Sequence, residues 1–439
     1  MPARTRHHRI FVAALSLAIL SGPAWAAEPP ATHSTHSDAT GAALSFDEAV
    51  GGSAQAPGLV GLEEAVAEKR RSDETLPLLS QGMQVQLMPG GRLPPADQPG
   101  FEAQWMVTQG WSLGGYGHKR RDAAAAESEV MAAEARALAL EQELGAALAW
   151  IRLHEAEARL VLARRELETA GELQAVLEEA VAAGVATRVD LAEARATVAE
   201  AQAAVTEISG EVHDLGLRLA REVGVQATAP MRTKGDYPDP QLPSEVELRR
   251  RFTDLDALPQ VALHRLEARA ARARAEESKA SKATTMNAGL AGQLESSGEL
   301  LLFGVVGANI TIRDHNQRAQ AVDLAQARRA EAEAEQRMVE LSAALLVAIH
   351  DLTHTRERME NLRDSTLPAL DELVSSHELA LEQGEGTRPL LLSARRRRSV
   401  AARELVAAEA DWVWARVEVW LYLQAIEAGE AEAAGGSEQ

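Results

Sequence analysis

The sequence predicts a mainly α-helical fold with a small β part, in which the same order of helices and strands occurs twice. The first observation is composition, because aromatic residues make up only 3% of the chain while Ala, Glu, Leu and Arg dominate. That composition is typical of long helices packed closely along small side chains. The second observation is the helical spacing of apolar residues, and the third is a set of matching segments about 200 residues apart.

The internal repeat rests on three matches. Residues 181–188 match residues 381–388 at an offset of 200, and Pro57 and Pro259, each predicted to open a helix, are offset by 202. Two apolar series with spacings of 3, 4, 4 and 3 are offset by 201: Ala137, Leu140, Leu144, Leu148 and Ile151, then Met338, Leu341, Leu345, Ile349 and Leu352. Together the matches predict a duplication, with a first repeat at 46–230 and a second at 231–429.

Each repeat begins with a helix, predicted at about 58–76 and 259–283. After two short alternating segments comes a long helix, from about Arg120 to Gly184 and from about Arg318 to Gly384. At a rise of 1.5 Å per residue each long helix is about 100 Å long. The spacing of its apolar residues predicts coiled-coil packing between helices, and the four prolines of the 227–243 link exclude a helix there.

Four segments alternate between apolar and polar residues, which predicts strands with one apolar face. Their apolar positions are Met83, Val85 and Leu87; Ala103, Trp105 and Val107; Met286, Ala288 and Leu290; Ala308, Ile310 and Ile312. Loops are predicted at 89–95 and 296–298, which gives one hairpin per repeat. Strands of about ten residues can cross a membrane, and a small periplasmic sheet is the alternative. Since lipid does not tolerate open sheet edges, membrane strands require several chains.

The N-terminus has the pattern of a secretory signal peptide at 1–26. Arg4, Arg6 and Arg9 precede an apolar run at 10–20, and small residues at 24–26 suit cleavage; an amphipathic helix is the alternative. Residues 27–45 and 430–439 are predicted to be disordered tails. The chain has no cysteine, so neither a disulfide nor a lipid anchor on an N-terminal Cys is expected. No later run of about 20 apolar residues predicts a transmembrane helix.

Charge and motifs argue against nucleic acid, cofactors and catalysis. Without the signal peptide the chain has 42 basic and 65 acidic side chains, a net charge of −23, which disfavours binding to phosphate. The glycines at 114–117 lack the Lys-Ser/Thr of a phosphate-binding loop, and no nucleophile–base pair predicts an enzyme. His350 and His354 have metal-ligand spacing, but a solvated helix face is the better interpretation, and His33 and His36 belong to the N-terminal tail.

The helix tips carry a family resemblance. Gly184 is followed six residues later by Asp190, and residues 384–388 repeat the start of the pattern, with Leu390 in place of the aspartate. This arrangement resembles the TolC-like outer-membrane efflux proteins over about residues 46–423. The resemblance implies a trimeric twelve-stranded membrane barrel over a long α-helical periplasmic tunnel. It also implies a passive exit duct of a tripartite efflux or type I secretion system, in contact with outer-membrane lipid.

The same resemblance implies partners and site residues. The partners are two further copies of the chain, a periplasmic adaptor (membrane fusion) protein and an inner-membrane pump of the resistance-nodulation-division type. The tip residues expected to form the turns and dock the adaptor are Gly184, Thr187, Asp190, Gly384, Thr387 and Arg388. Thr187 and Asp190 can alternatively serve only to cap the returning helix.

Two strand-to-helix junctions, at 109–120 and 308–319, resemble the branch associated with cobalt–zinc–cadmium pumps, which implies heavy-metal cations as cargo. The junction residues are Gly114, Gly115, Arg120, Asn316 and Arg318. Trp105 and Trp111 are candidates for a membrane belt, whereas Trp412, Trp414 and Trp420 are predicted to pack between helices. The arginines at 395–398 either pair with neighbouring acids or meet a partner protein.

Two other classes of protein compete with the channel. A periplasmic adaptor has one helical hairpin flanked by β-rich segments, whereas this sequence predicts two hairpins and little β structure. An exported coiled-coil structural protein does not require four alternating segments at symmetric positions. Both classes are expected to be absent from the outer-membrane fraction or to run as monomers on a heat-modifiability gel, which separates them from a channel.

Overall fold

The computed structural model describes residues 41–76, 83–92, 100–226, 229–295, 297, 299–310 and 316–436. The first half consists of β1 (Ala43–Leu44), α1 (Phe46–Ser53), α2 (Pro57–Glu74), β2 (Gln84–Arg92), β3 (Gly100–Ser112), α3 (Tyr116–Ala182) and α4 (Arg188–Glu222). The second half consists of β4 (Arg232–Thr233), α5 (Glu245–Arg251), α6 (Pro259–Ala280), β5 (Thr285–Leu294), β6 (Leu300–Asn309), α7 (Gln317–Asn361), a π turn (Leu362–Thr366), α8 (Leu367–Glu382) and α9 (Arg388–Gly436).

Both halves have the predicted order of helix, β-hairpin, long helix, turn and helix. The mainly α fold with a small β part is therefore confirmed, while the exact repeat boundaries stay a prediction. The short elements α1, α5, β1 and β4 were not predicted. β1 and β4 pair in parallel, Ala43 with Arg232 and Leu44 with Thr233, so the proline-rich link contributes a strand beside the start of the first half.

The two hairpins form one antiparallel sheet in the order β2-β3-β5-β6. The loop predicted at 89–95 is partly wrong, because residues 89–92 continue β2 and Pro89 pairs with Ala103. β2 is an edge strand, where the missing N–H of a proline does not interrupt the ladder. The fourth strand, predicted around 308–312, lies at Leu300–Asn309. Its continuous run of apolar residues at 300–303 has no period of two, and residues 93–99 and 311–315 lie outside the described part.

The second long helix is interrupted, contrary to the prediction of one helix over 318–384. α7 ends at Asn361, and the π turn Leu362–Thr366 joins it to α8. Pro368, near the start of α8, lacks an N–H and its ring collides with the carbonyl four residues earlier in a regular helix, whereas a wider turn accommodates it. The corresponding residue of the first half is Glu168, and α3 is unbroken over 67 residues.

Both predicted tails are shorter than expected where the structure describes them. α9 continues to Gly436, and Arg136 forms an ion pair with Glu432, so most of the segment predicted as a C-terminal tail is helical. At the other end, β1 and the capping residue Ser45 of α1 are ordered parts of the fold within the predicted 27–45 tail. The signal peptide, His33 and His36 lie outside the described residues.

The main core lies between α1, α3, α4 and α9. Trp150 of α3 is fully buried, its Nε1 donates to the carbonyl of Leu44 at 2.8 Å, and its ring meets the edge of Phe46 at 5.7 Å. The prediction for α9 is confirmed, because its tryptophans pack partly buried against this core: Trp412, Trp414 and Trp420. None of the described helices combines the length and apolar character needed to cross a membrane.

Candidate functional site

The first helix tip is a glycine turn followed by a capped helix. Gly184 has φ +73°, a left-handed conformation that glycine adopts at little cost, and the N–H groups of Val185 and Ala186 both donate to the carbonyl of Ala180. Thr187 then caps α4. The backbone N–H of Asp190 donates to Thr187 Oγ1 at 3.1 Å and the N–H of Thr187 donates to Asp190 Oδ2 at 2.9 Å, which is a reciprocal capping box.

The second tip repeats the same turn. Gly384 has φ +75°, and the N–H groups of Glu385 and Gly386 both donate to the carbonyl of Ala380 at 2.9 Å. The chain then passes Thr387 and enters α9 at Arg388. Leu390 stands where the first tip has Asp190, and its side chain cannot accept a hydrogen bond from the backbone of Thr387. The two turns are therefore alike, whereas the reciprocal cap belongs to the first.

An electrostatic interaction between Asp190 and Arg388 joins the two tips. Hydrogen bonds from the backbone and hydroxyl of Thr187 lower the pKa of Asp190, and the positive charge of Arg388 in the other tip lowers it further. The tips therefore lie at the same end of the helical body. Since α3 begins beside the sheet and ends at the first tip, a rise of 1.5 Å per residue separates the tips from the sheet by about 100 Å.

Each of the two helix pairs that end in these tips also has a matching ion pair a few residues from its tip. Arg195 donates to Glu178 at 3.0 Å, and Arg395 donates to Glu378 at 2.7 Å. The offset of 200 between these pairs is visible in the sequence, but the sequence did not predict which acids pair with these arginines.

The arginine run on α9 mostly pairs with acids. Besides Arg395, Arg396 lies 3.4 Å from Glu200 of α4, and Arg398 forms an ion pair with Asp371 of α8. Among the described residues, no carboxylate forms an ion pair with Arg397, whose side chain is exposed. Three of the four arginines therefore fit the first of the two predicted roles, the pairing with neighbouring acids.

The strand-to-helix junctions depend on two left-handed residues at equivalent positions. Gly115 has φ +65° before α3, and Asn316 has φ +60° before α7. A Cβ added to Gly114 would lie 2.3 Å from the Cβ of Ala283, so this close approach requires a glycine. The side-chain amide of Asn316 donates to the carbonyl of Ser278 at the end of α6, at 3.2 Å.

The two junction arginines are not at equivalent positions, although both were predicted as junction residues. Arg120 is the fifth residue of α3, whereas Arg318 is the second residue of α7. Arg121, which was not predicted as a junction residue, makes the tertiary contact, because its Nε donates to the carbonyl of Leu76 after α2 at 2.8 Å. No local motif distinguishes Arg121 from Arg120 in the sequence.

One face of the sheet is almost entirely apolar, and many of its side chains are exposed. Opposed residues of an antiparallel ladder project to the same side, so the register extends this face across all four strands. Its larger side chains are Val85, Leu87, Trp105, Val107, Trp111, Met286, Leu290, Leu294, Leu300, Leu302 and Val306. Val85 is 69% exposed, Leu302 65% and Val306 76%, which is unusual for a sheet in water.

The two belt candidates occupy different depths of this face. Trp111 pairs with Met286 near the end of β3 and is partly exposed. Trp105 lies near the middle of β3 opposite Gly292, and a Cβ on that glycine would lie 2.5 Å from the indole ring. The position at the strand end favours Trp111 as a belt residue, while Trp105 covers the glycine.

The histidine pair of α7 lies on the helix surface. The rings of His350 and His354 are 4.2 Å apart in an edge-on arrangement, and His354 lies 3.8 Å from Glu357. Both imidazoles are exposed. This position, far from both tips, fits the predicted solvated helix face.

The two-hairpin sheet joined to paired long helices is the fold of outer-membrane channels. The outer-membrane channel OprN superposes with a TM-score of 0.71 at 18% identity, over 86% of this chain and 89% of that one. The outer membrane protein VceC of Vibrio cholerae gives 0.70 at 15% identity, over 87% and 95%, and the Campylobacter jejuni CmeC outer membrane channel gives 0.73 at 11% identity, over 90% and 93%. No family model and no curated protein matches the sequence, so the likeness is one of fold.

Proposed function

We propose that this protein is the outer-membrane channel of a tripartite efflux or secretion system, a passive duct for cargo driven by an inner-membrane pump. The observation that carries the proposal is the exposed apolar sheet face at one end of a helical body whose two tips lie together at the other end. The channel fold of OprN, VceC and CmeC supports the same assignment. None of these three structural neighbours is described as an enzyme, which supports a role without catalysis.

The sheet edges support an assembly of several chains. β2 and β6 are the edges of a four-stranded antiparallel sheet, so they run in opposite directions. A joint between β6 of one chain and β2 of the next is therefore also antiparallel, and the alternation continues around a closed ring. Closure removes the unpaired backbone groups that lipid does not tolerate, and three chains provide the twelve strands of the proposed barrel.

The tips support docking of a periplasmic adaptor protein. Val185 and Val189 are 75% and 73% exposed at the first tip, and Leu390 is 53% exposed at the second. Arg388 adds a positive charge beside these apolar side chains. Exposed apolar residues next to charge, at the end of a long helical body, are suited to a protein partner.

Heavy-metal cations are the proposed cargo class. The support is the sequence of the two junctions and the net negative charge of the chain, which raises the local concentration of cations without forming a site. The identity of the pump partner would decide between metals and other cargo.

Cysteine cross-linking tests the proposed assembly, since the natural chain contains no cysteine. Gln86→Cys in β2 and Phe303→Cys in β6 place thiols near the middle of the two edge strands. In intact outer membranes a short bis-maleimide should convert the double variant to a covalent trimer, while each single variant stays monomeric on a denaturing gel. Recovery of the double variant as an uncross-linked soluble periplasmic protein would instead favour an adaptor or coiled-coil protein.

A further inference from the structure

We propose that His264, Glu267 and Glu333 form a binding site for one divalent first-row transition-metal ion, such as Zn²⁺ or Co²⁺, between α6 and α7. The site goes beyond the proposed channel function, because a channel for any cargo could hold this ion. It is also separate from the histidine pair of α7, which sequence spacing alone singles out.

The three side chains converge from two helices. His264 and Glu267 are one turn apart on α6, and Glu333 reaches them from α7, which packs along α6. His264 Nδ1 lies 2.8 Å from Glu267 Oε2, and one ligand atom from each of the three residues lies within 4.8 Å of the others. Within the described part of the chain, no other group of three ligand side chains converges in this way.

The donor set selects the class of metal. Zinc binds imidazole nitrogen and carboxylate oxygen at about 2.0–2.2 Å, so the ligands of one ion lie roughly 3–4 Å apart, and small rotations of the glutamate side chains close the remaining gap. One nitrogen and two oxygens suit Zn²⁺, Co²⁺ or Mn²⁺ rather than Cu⁺, which prefers sulfur. The two carboxylates match the charge of a divalent ion.

The surroundings leave room and a replaceable counter-ion. Glu267 and Glu333 line an open cavity of about 540 Å³ between α2, α3, α6 and α7, which gives water access to the remaining coordination positions. Arg329 lies 2.8 Å from Glu333 and its side chain is 80% exposed. Arg329 therefore neutralises Glu333 in the empty site at little cost, and an incoming cation displaces it.

The experiment is a titration of the metal-free, full-length mature protein in detergent with Zn²⁺, followed by isothermal calorimetry, and with Co²⁺, followed by visible absorption. Wild type should bind one ion per chain. His264→Ala and Glu333→Gln should each weaken binding at least tenfold, whereas Arg329→Gln should bind at least as tightly as wild type because the competing cation is gone. The His350→Ala/His354→Ala double variant is the control and should bind like wild type.

Three results would overturn the site. They are unchanged binding in both His264→Ala and Glu333→Gln, loss of binding in the His350/His354 control, and no ion bound by wild type. All three ligands are partly exposed, so folding of each variant can be verified by circular dichroism before titration. Because the readout is bound metal, a failure here is distinct from a failure of the membrane assembly tested by cross-linking.

Discussion

At the residue scale, the duplication extends to individual contacts. The ion pair of Arg195 with Glu178 recurs as that of Arg395 with Glu378, each between residues 17 positions apart. The capping box does not recur, because Leu390 replaces the aspartate. The ion pair that joins the two helices of each tip is thus present twice. The contact that differs is the capping box, which lies at the surface proposed to meet a partner.

His154 is a half-buried titratable residue that packs against the main core. Its ring stacks on Trp150 at 5.0 Å between centroids and meets Tyr237 edge-on at 4.5 Å. Burial lowers its pKa, and the negative charges of Glu157 and Asp236 oppose this only in part. The neutral imidazole is therefore the form that the fold holds.

A pH dependence of stability follows. Since the folded protein holds His154 with a lowered pKa, the unfolded chain takes up a proton first as pH falls below about 6.5, and stability decreases until the folded state is protonated too. Burial raises the pKa of Glu143, Glu155 and Glu418, which acts in the opposite direction, so the contribution of His154 is measured against wild type in thermal melts. Between pH 7.5 and pH 5.5 the change in Tm should be more favourable in His154→Gln than in wild type, whereas His350→Gln, which changes an exposed imidazole, should behave like wild type. An equal effect of both variants would contradict the prediction.

At the element scale, the sequence predicted the long helices, the hairpins and the glycine turns, because each has a local signal. Period-two alternation located β3 and β5, and the shared turn pattern located both tips. The sequence did not predict the full extent of β6, because a run of apolar residues there has no period of two. It also did not predict the π turn, which widens the helix around Pro368. The metal ligands were also missed, since Glu333 is far in sequence from His264 and Glu267.

The two long helices provide a matched test of the π turn. Glu168→Pro introduces a proline into the unbroken α3 and should cost about 3 kcal/mol, the usual penalty within a helix. Pro368→Glu, the reverse change at the equivalent position, should be neutral or stabilising, because it restores a backbone donor. Chemical denaturation would measure both, and hydrogen exchange over 362–366 should slow in Pro368→Glu. Equal destabilisation by the two changes would show that the π turn has another cause.

At the scale of the whole molecule, two ends with different surfaces are connected by helices of about 100 Å. One end is an apolar sheet face with open edges, and the other consists of two tips whose charges interact. Alternation predicted that the chain has four strands, although most of β6 lies before the segment predicted for it. The partners of the two edge strands were not predictable, because the proposed closure depends on other copies of the chain. The fold of one chain therefore leaves two sheet edges open, which the proposed assembly would close.

Mutations at the tips should separate the proposed roles of the two ends, which are docking at the tips and assembly at the sheet. A Cβ at Gly184 or Gly384 meets no atom within 4 Å, so Gly184→Trp and Gly384→Trp add bulk at positions where the first side-chain atom has open space. The left-handed φ costs a non-glycine residue about 1–2 kcal/mol, which a trimer held by its sheet should tolerate. Efflux measured in cells should be lost while the membrane trimer still assembles. Gly210→Trp is the control, because Gly210 is exposed on α4 away from the tip with no atom near its added Cβ; normal efflux in both tip variants would remove the docking role and leave the glycines as turns.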